Sequence, residues 1–408
     1  MSTPALQRRL GTVDATVIGL GSMIGAGVFA AFAPAAAAAG SGLLLGLALA
    51  ALVAWCNATS SAQLAARYPR SGGTYVYGRE RLGPWWGFVA GWGFVVGKTA
   101  SCAAMALTAA AYLVPIGWQR PVAALAVVAV AGVNLAGVTR TARLTRILVA
   151  LVLLALAAIL LTAAARGPVR LAGLAEGAGG VYGVLQAAGL LFFAFAGYAR
   201  VATLGEEVRD PARTIPRAIT LALAGAVAVY AAVGAVLLLV LGPSRLSSST
   251  APLAEVLPPG GAWIAAVGGA LASLGALLGL VAGVGRTVLA MARESDLPAP
   301  LAAVHPRRSV PHRAEIAVAL VVVALVCTVD LRGVIGFSSF GVLLYYFVAN
   351  LAAVGQPAAE RRYPRVLQVL GMAGCAVLAA TLPWESVVAG AGVVLVGVGY
   401  RWVRRRGR

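Results

Sequence analysis

The chain has 408 residues, a formal net charge of +19, 61% hydrophobic residues and 11% charged ones, and its mean hydropathy is +0.90. A water-soluble globular domain carries about 25% charged residues, so this composition excludes one and indicates an all-α polytopic membrane protein. A net charge of this size can also signal nucleic acid, but the placement of the charges, given below, argues against that partner.

Apolar runs of about 20 residues between charged or turn-rich breaks mark membrane spans. Twelve are predicted, at 12–39, 41–66, 84–113, 120–137, 142–165, 181–205, 215–242, 261–291, 314–331, 333–354, 364–382 and 384–402. The first follows a short basic head and has no cleavage-site pattern, so it is expected to be a retained span.

The first span reads VIGLGSMIGAGVFAAFAP and crowds Gly19, Gly21, Gly25 and Gly27 into its middle. Three readings compete. A dinucleotide-binding fingerprint needs a preceding strand and a βαβ unit, and neither surrounds it. Close helix packing through Gly21 and Gly25 is the second. The third is a helix broken at mid-membrane, where non-helical backbone is tolerated only if buried in protein or lining a cavity. Its freed amides would suit a carboxylate.

The third span holds Lys98, the only lysine, within GFVVGKTASCAAMAL. An ionisable side chain at membrane depth is costly and by default a functional-site candidate. Lysine, unlike arginine, changes its protonation readily when desolvated. Snorkelling to a headgroup is the bland alternative, and it operates near helix ends, whereas Lys98 is mid-span. Lys98, Cys102 and Met105 follow i, i+4, i+7 spacing and share one helix face.

The sixth span, LLFFAFAGYARVATLGEE, is interrupted by Gly197 and ends in Glu206 and Glu207. Helix packing explains either glycine break alone, but explains two breaks five spans apart less well. That spacing points to an inverted repeat of five helices with a midplane site. Between the seventh and eighth spans, residues 243–260 form the longest outside loop, a candidate partial lid.

With the N-terminus placed in the cytoplasm, 24 basic residues fall on the inner side and five on the outer, while Lys98, Arg200 and Arg286 lie at membrane depth. By the positive-inside rule both termini are cytoplasmic in a multi-pass cell-membrane protein. The basicity then reports topology and attraction to anionic lipid, not nucleic acid. Cys56, Cys102, Cys327 and Cys375 are isolated within apolar spans, which implies neither a disulfide framework nor a zinc site. His305 and His312 are read as solvated loop residues. No metalloprotease, nucleophile-elbow or phosphate-loop motif occurs, so neither an enzyme nor a cofactor or metal is expected. A channel would need a continuous polar pore, against which the paired breaks speak.

GLGSMIGAGVF, YPRSGGTYVYGRERLGPWWGFVAGW, FFAFAGYARVATLGEEVRDPARTIPRAI, MARESDLP and FSSFGVLLYYFVANLAA occur in that order. On these segments the chain resembles the amino acid–polyamine–organocation transporter superfamily. The resemblance implies ten core helices in two inverted five-helix repeats, residues 12–165 and 181–354, with helices 1 and 6 discontinuous. It adds two accessory C-terminal helices at 364–402, between a head at 1–11 and a basic tail at 403–408. It implies alternating access, commonly driven by protons or by exchange. The substrate carboxylate would bind the backbone amides of Ser22, Met23, Ile24, Gly25, Ala26 and Gly27. The substrate ammonium would meet the carbonyls of Phe193, Ala194, Phe195 and Ala196 beside Gly197. Phe193, or second Phe192, would close over the substrate, with Tyr198 as pocket floor. Phe337, Ser338 and Ser339 either line the path or, for the serines, bond their own helix.

Two positions depart from the family pattern. The glutamate that many relatives carry after the helix 6 aromatic is Ala199 here, followed by Arg200. The helix 5 lysine of some proton-coupled relatives aligns with Val152. Lys98 is therefore the candidate to take over coupling, either by losing and regaining a proton or as a permanent partner of the substrate carboxylate. Arg200 is expected to pair with Glu206 or Glu207, which would tie down the inner end of helix 6, and Arg286 is a further gating candidate. A site holding Lys98 and Arg200 without a matched acid favours neutral amino acids first and anionic ones second, over cationic ones. Exchange, or nutrient sensing on a transporter scaffold, remains the alternative.

Overall fold

The computed structural model describes residues 10–68, 72–137, 142–165, 179–202, 208–308 and 310–406. Glu206 and Glu207, expected at the inner end of helix 6, lie outside the described residues. Among the described residues the regular structure is helical, apart from one isolated bridge between Leu10 and Val208.

The first predicted span is three helical pieces: α1 (Thr12–Met23), α2 (Ala26–Ala30) and α3 (Phe32–Ala39). The second is α4 (Leu43–Arg67). A short helix, α5 (Thr74–Leu82), precedes α6 (Pro84–Leu113), the helix of Lys98. Then come α7 (Gln119–Leu135), α8 (Ala142–Ala165), α9 (Gly180–Phe195) and α10 (Ala199–Ala202). The second half continues through α11 (Pro211–Ser248), α12 (Pro252–Glu255), α13 (Ala262–Arg293), α14 (His312–Thr328) and α15 (Leu331–Val354), and ends in α16 (Arg365–Ala380) and α17 (Trp384–Arg406). Among the described residues 10 helical stretches are long and apolar enough to cross a membrane. The ninth and eleventh predicted spans are the shorter helices α14, of 17 residues, and α16, of 16.

Local sequence sets several boundaries. Gly83, at φ 96°, ends α5 in a conformation open to glycine, and Pro84 then starts α6 at the position where a missing N–H costs least. Asp330 caps α15 by accepting from the Gly333 amide at 3.1 Å. Gly242, at φ 73°, kinks α11 just before Pro243. The expected lid therefore begins as helix, running to Ser248, and Leu253 of α12 is buried. The Leu253 amide donates to the Tyr112 hydroxyl at 3.3 Å, which donates in turn to the Phe29 carbonyl at 2.9 Å. The loop thus packs over the junction of α2 and α6.

Small residues let these helices approach almost backbone to backbone. The closest pairing that positions the site is α6 on α15. A methyl group at Gly341 would lie 2.7 Å from Cα of Gly97, and one at Gly93 would lie 3.0 Å from the Gly341 carbonyl. Lys98 is therefore carried on a helix with almost no freedom against α15.

At the end of the bundle that holds α5, charges replace small residues. Asp296, just after α13, accepts from Arg79 at 3.0 Å and from the Tyr75 hydroxyl at 2.9 Å. It also pairs with Arg401 of α17 at 2.6 Å. Arg401 is buried and lies over the rings of Trp85 and Phe88, with its guanidinium carbon 5.1 and 4.7 Å from their centroids. The clasp ties the chain between spans 2 and 3 to the segment after span 8 and to the last helix.

Candidate substrate site

The two glycine-rich spans break where the sequence placed the interruptions, and the breaks touch. The α1 helix ends at Met23; Ile24 has φ −78° and ψ 70°, and Gly25 has φ −122° and ψ −142°. The α2 helix runs on into α3 through Ala31, whose dihedrals are helical. On the other side α9 ends at Phe195, a tight turn covers Ala196–Tyr198, and α10 follows.

Glycine is required at two contacts between the breaks. A side chain at Gly197 would collide with the Ser22 carbonyl and the Met23 amide. A methyl at Gly27 would lie 2.6 Å from Cα of Ala194. From the side, α13 closes the first break, with Cβ of Ala276 3.1 Å from the methyl that Gly25 lacks. Met23, Ile24, Gly25, Ala26 and Gly27 are all buried, so polar backbone freed here must be satisfied internally.

Tyrosines supply part of that satisfaction. The Tyr230 hydroxyl of α11 lies 2.6 Å from the Met23 carbonyl and 2.9 Å from the Ala194 carbonyl, bridging the two breaks. Its ring meets Phe195 edge-on at 5.0 Å. The Tyr346 hydroxyl of α15 donates to the Ala196 carbonyl at 3.3 Å. Neither tyrosine was singled out from sequence. The available signal was a lone hydroxyl-bearing ring in the apolar run GAVAVYAAVGAV and a tyrosine pair in LLYYFVAN.

Lys98 reaches the same carbonyl. Its Nζ donates to the Ala196 oxygen at 3.1 Å, and the residue is 7% exposed. It does not snorkel; it ends at the second break. Cys102, one turn along α6, lies within electrostatic reach of it, and Met105 is buried a turn further on.

The other predicted residues divide. Tyr198 is fully buried and stacks on Tyr346 at 4.8 Å, behind the second break. Phe192 meets Tyr346 edge-on at 5.8 Å. Phe193 is buried with a slightly larger exposed fraction, 7%. Ser338 pairs with Ser101 of α6, oxygen to oxygen at 2.6 Å, so its hydroxyl joins two helices and does not bond only its own. Ser339 is buried on the same helix, and Phe337 is half-buried. The Ser22 hydroxyl donates to the Ile18 carbonyl at 2.7 Å, so only its backbone faces the junction. Arg200 lies in α10, just past the second break. Arg286 is exposed on α13 and stands in electrostatic contact with Glu315 of α14, away from both breaks. The slots that lack the family's ionisable groups are Val152, buried on α8, and Ala199, the first residue of α10.

Comparison with known proteins agrees with this architecture. The amino acid permease family profile matches residues 10–400. An uncharacterized transporter of Mycobacterium tuberculosis (strain ATCC 25618 / H37Rv) is 60% identical over 405 residues, covering 98% of this chain and 92% of its own. A branched-chain amino acid permease of Bacillus subtilis is 27% identical over 425 residues, covering 94% and 90%. Human cationic amino acid transporter 4 is 30% identical over 377 residues, covering 85% of this chain and 59% of its own. Two helices broken at glycine and held together by Tyr230, on a bundle of long apolar helices, are thus the core of a multi-pass membrane protein that belongs to the amino acid permease family, within the amino acid–polyamine–organocation superfamily.

Proposed function

We propose that the chain is a proton-coupled secondary transporter of neutral amino acids. It would work by alternating access at the junction of the breaks, in a fold of two inverted five-helix repeats. The observation that carries this reading is the hydrogen bond from Lys98 Nζ to the Ala196 carbonyl, 3.1 Å. Carbonyls of the second break are where the family resemblance puts the substrate ammonium. Lys98 and the substrate would then compete for one acceptor. A protonated Lys98 holds the Ala196 carbonyl while the site is empty. When Lys98 gives up its proton, the carbonyl is released to the incoming ammonium, and the substrate carboxylate takes the amides around Gly25–Gly27. Binding and proton transfer become alternatives at one oxygen, which couples them as an exchange of proton against substrate.

Neutral substrates follow from the same contact. A second cationic group beside Lys98 meets like charge in a buried site, and among the described residues Lys98 Nζ is held by a neutral carbonyl, not by a carboxylate. The relatives' names point to branched-chain and cationic substrates for those proteins; the lysine of this chain favours the former chemistry. Phe193 remains the aromatic proposed to close over the substrate, because Phe192 and Phe195 are engaged with Tyr346 and Tyr230. The 24-to-5 distribution of basic residues supports cytoplasmic termini. The Asp296 clasp would then close the cytoplasmic end.

The deciding measurement is flux of labelled leucine or alanine into proteoliposomes, with pH and sodium gradients imposed separately. Because proton and substrate exclude each other, uptake should be driven by an acid interior and not by a sodium gradient. Lys98→Ala should abolish pH-driven uptake and leave exchange intact; equal loss of both would sink a coupling role for Lys98. Binding without flux would identify a sensor.

A further inference from the structure

Between α4, α15 and α16 runs a seam of amide and hydroxyl side chains that the transport reading does not use. Asn57, Ser60, Ser61 and Gln63 lie on α4, Asn350 on α15, Gln356 just beyond it, and Gln368 on α16; each is at most 2% exposed. They are linked hand to hand. Ser60 Oγ donates to Asn350 Oδ1 at 2.7 Å, and Asn350 Nδ2 donates to Asn57 Oδ1 at 2.6 Å and to the Tyr346 carbonyl at 2.9 Å. One turn further along α4, Gln63 Nε2 donates to Gln356 Oε1 at 2.6 Å. Gln368 reaches Gln63 at 3.5 Å, and the Cys375 thiol reaches Asn57 Oδ1 at 3.4 Å.

The seam has two ends. One is the site: Asn350 holds the carbonyl of Tyr346, whose hydroxyl shares the Ala196 oxygen with Lys98. The other is the surface, where Arg67, one turn beyond Gln63, pairs with exposed-side Glu360 at 3.0 Å. Asn57 to Arg67 is ten residues of helix, about 15 Å at 1.5 Å per residue. That is roughly half of a 30 Å hydrocarbon core, the depth from the middle of the membrane to one face. Toward the opposite face α6 carries no such row of amides: beyond the Ser101–Ser338 pair, Thr108 donates to the carbonyl of its own Ala104 and Tyr112 to that of Phe29.

Adhesion between helices does not account for the seam. A polar contact in a membrane protein contributes only about 0.6 kcal/mol on average. Here the contacts are also incomplete. Asn57 Nδ2, Ser61 Oγ, Gln356 Nε2 and Gln368 Oε1 are buried without a protein partner. Buried polar atoms left over in this way are the ones that hold ordered water.

We propose that this seam binds a file of water molecules and is the route by which a proton travels between Lys98 and the face that carries Arg67 and Glu360. This rests on the reading that Lys98 changes its protonation during transport. A hydronium at the surface end gives its proton to the first water; each water gains one O–H bond and releases another; the last proton forms an N–H bond on the neutral Lys98 amine. Release runs the same steps backwards. The amides and hydroxyls orient the file and are unchanged. The titratable groups facing Lys98 are Cys102 on its own helix and Tyr346 on α15, with Tyr198 and Cys375 behind Tyr346.

Two measurements on the full-length protein in proteoliposomes test this. The first is hydration, read on a protein whose only cysteine is Cys375 (Cys56→Ala, Cys102→Ala, Cys327→Ala). Its S–H infrared band should convert to S–D within minutes in D2O, and Asn57→Leu should slow conversion about tenfold, equivalent to about 1.4 kcal/mol of barrier. A band that persists for hours means a dry seam and overturns the proposal, whatever Lys98 does. The second is transport: Gln63→Met and Asn57→Leu should leave amino acid exchange at equal pH unchanged while slowing pH-driven uptake about tenfold. If both activities fall together, or neither falls, the proposal is overturned. A hydrated seam in a wild-type protein that ignores pH gradients refutes the Lys98 reading instead, and the proton route with it.

Discussion

Lys98 Nζ and the Tyr346 hydroxyl converge on one oxygen, the carbonyl of Ala196, from 3.1 and 3.3 Å. Both groups are donors, and they come from adjacent helices whose backbones nearly touch. A substrate ammonium directed to that carbonyl must displace at least one of them. Lys98→Arg keeps a charge that cannot be given up at physiological pH. Uptake by that variant should lose its response to a pH gradient, and its exchange rate should fall about tenfold or more, the scale of a charge-assisted hydrogen bond placed wrongly. Side-by-side pH-jump and counterflow assays check both outcomes.

Tyr230→Phe keeps the ring against Phe195 and removes the hydroxyl that bridges Met23 and Ala194. Two buried carbonyls lose their shared donor, a cost of about 1–3 kcal/mol. Because the bridge joins the two breaks, the loss should appear in substrate affinity as well as in thermal stability. Binding calorimetry and melting in detergent measure them separately.

Gly197→Ala drives a methyl group into the Ser22–Met23 peptide, and Gly27→Ala places one 2.6 Å from Ala194 Cα. Neither obstacle is a flexible side chain. Each variant should destabilise the protein by about 1–3 kcal/mol, the usual range for overpacking, and abolish transport. Gly132→Ala, where nothing lies within 4 Å, is the control and should behave as wild type.

Asp296→Asn weakens a buried ion pair with Arg401 and an exposed-side one with Arg79. Leaving Arg401 without its acid should cost about 3–5 kcal/mol, seen as a lower melting temperature and as greater labelling of cysteines placed on α5 beside the clasp. The Tyr75 hydroxyl is pushed up by burial, and further by Asp296 and the hydrogen bond to it. It therefore stays a donor through the neutral range, and this contribution should fade only as pH rises beyond the ordinary tyrosine value of about 10. Melting temperature followed from neutral to alkaline pH, in wild type and in Tyr75→Phe, tests the sign.

Cadaverine and arginine should be transported more slowly than leucine and alanine. In Lys98→Ala the like charge is gone, so the discrimination against arginine should narrow. Competition assays against labelled leucine report both.

Much of this was legible in the chain. Spans follow from hydropathy, and the breaks from glycine in the middle of spans, because a bilayer penalises both kinds of irregularity heavily. Lys98 was legible for the same reason. Its partner was less so: the family resemblance placed ammonium groups at the Ala196 carbonyl, but nothing in GFVVGKTAS aims Nζ there. Tyr230 and Tyr346 matter through what approaches them in three dimensions, and a lone tyrosine in an apolar run looks like ordinary packing. The pairing of Asp296 with Arg401 joins a recognisable motif to the far end of the chain, which no local pattern records. The segment at 243–260 is expected from sequence as an outside loop and partial lid, and the kink at Gly242 with Pro243 starting a new turn explains why it begins as helix.

The glycine contact between α6 and α15 has a mechanical consequence. With Gly93, Gly97 and Gly341 in near-backbone contact, the two helices cannot slide or tilt past each other without steric collision. Lys98 and Tyr346 then travel as fixed points on one solid body. Any lengthening of their bonds to Ala196 would then have to come from the other partner, the turn at Ala196–Tyr198, with the α6–α15 pair as the fixed reference.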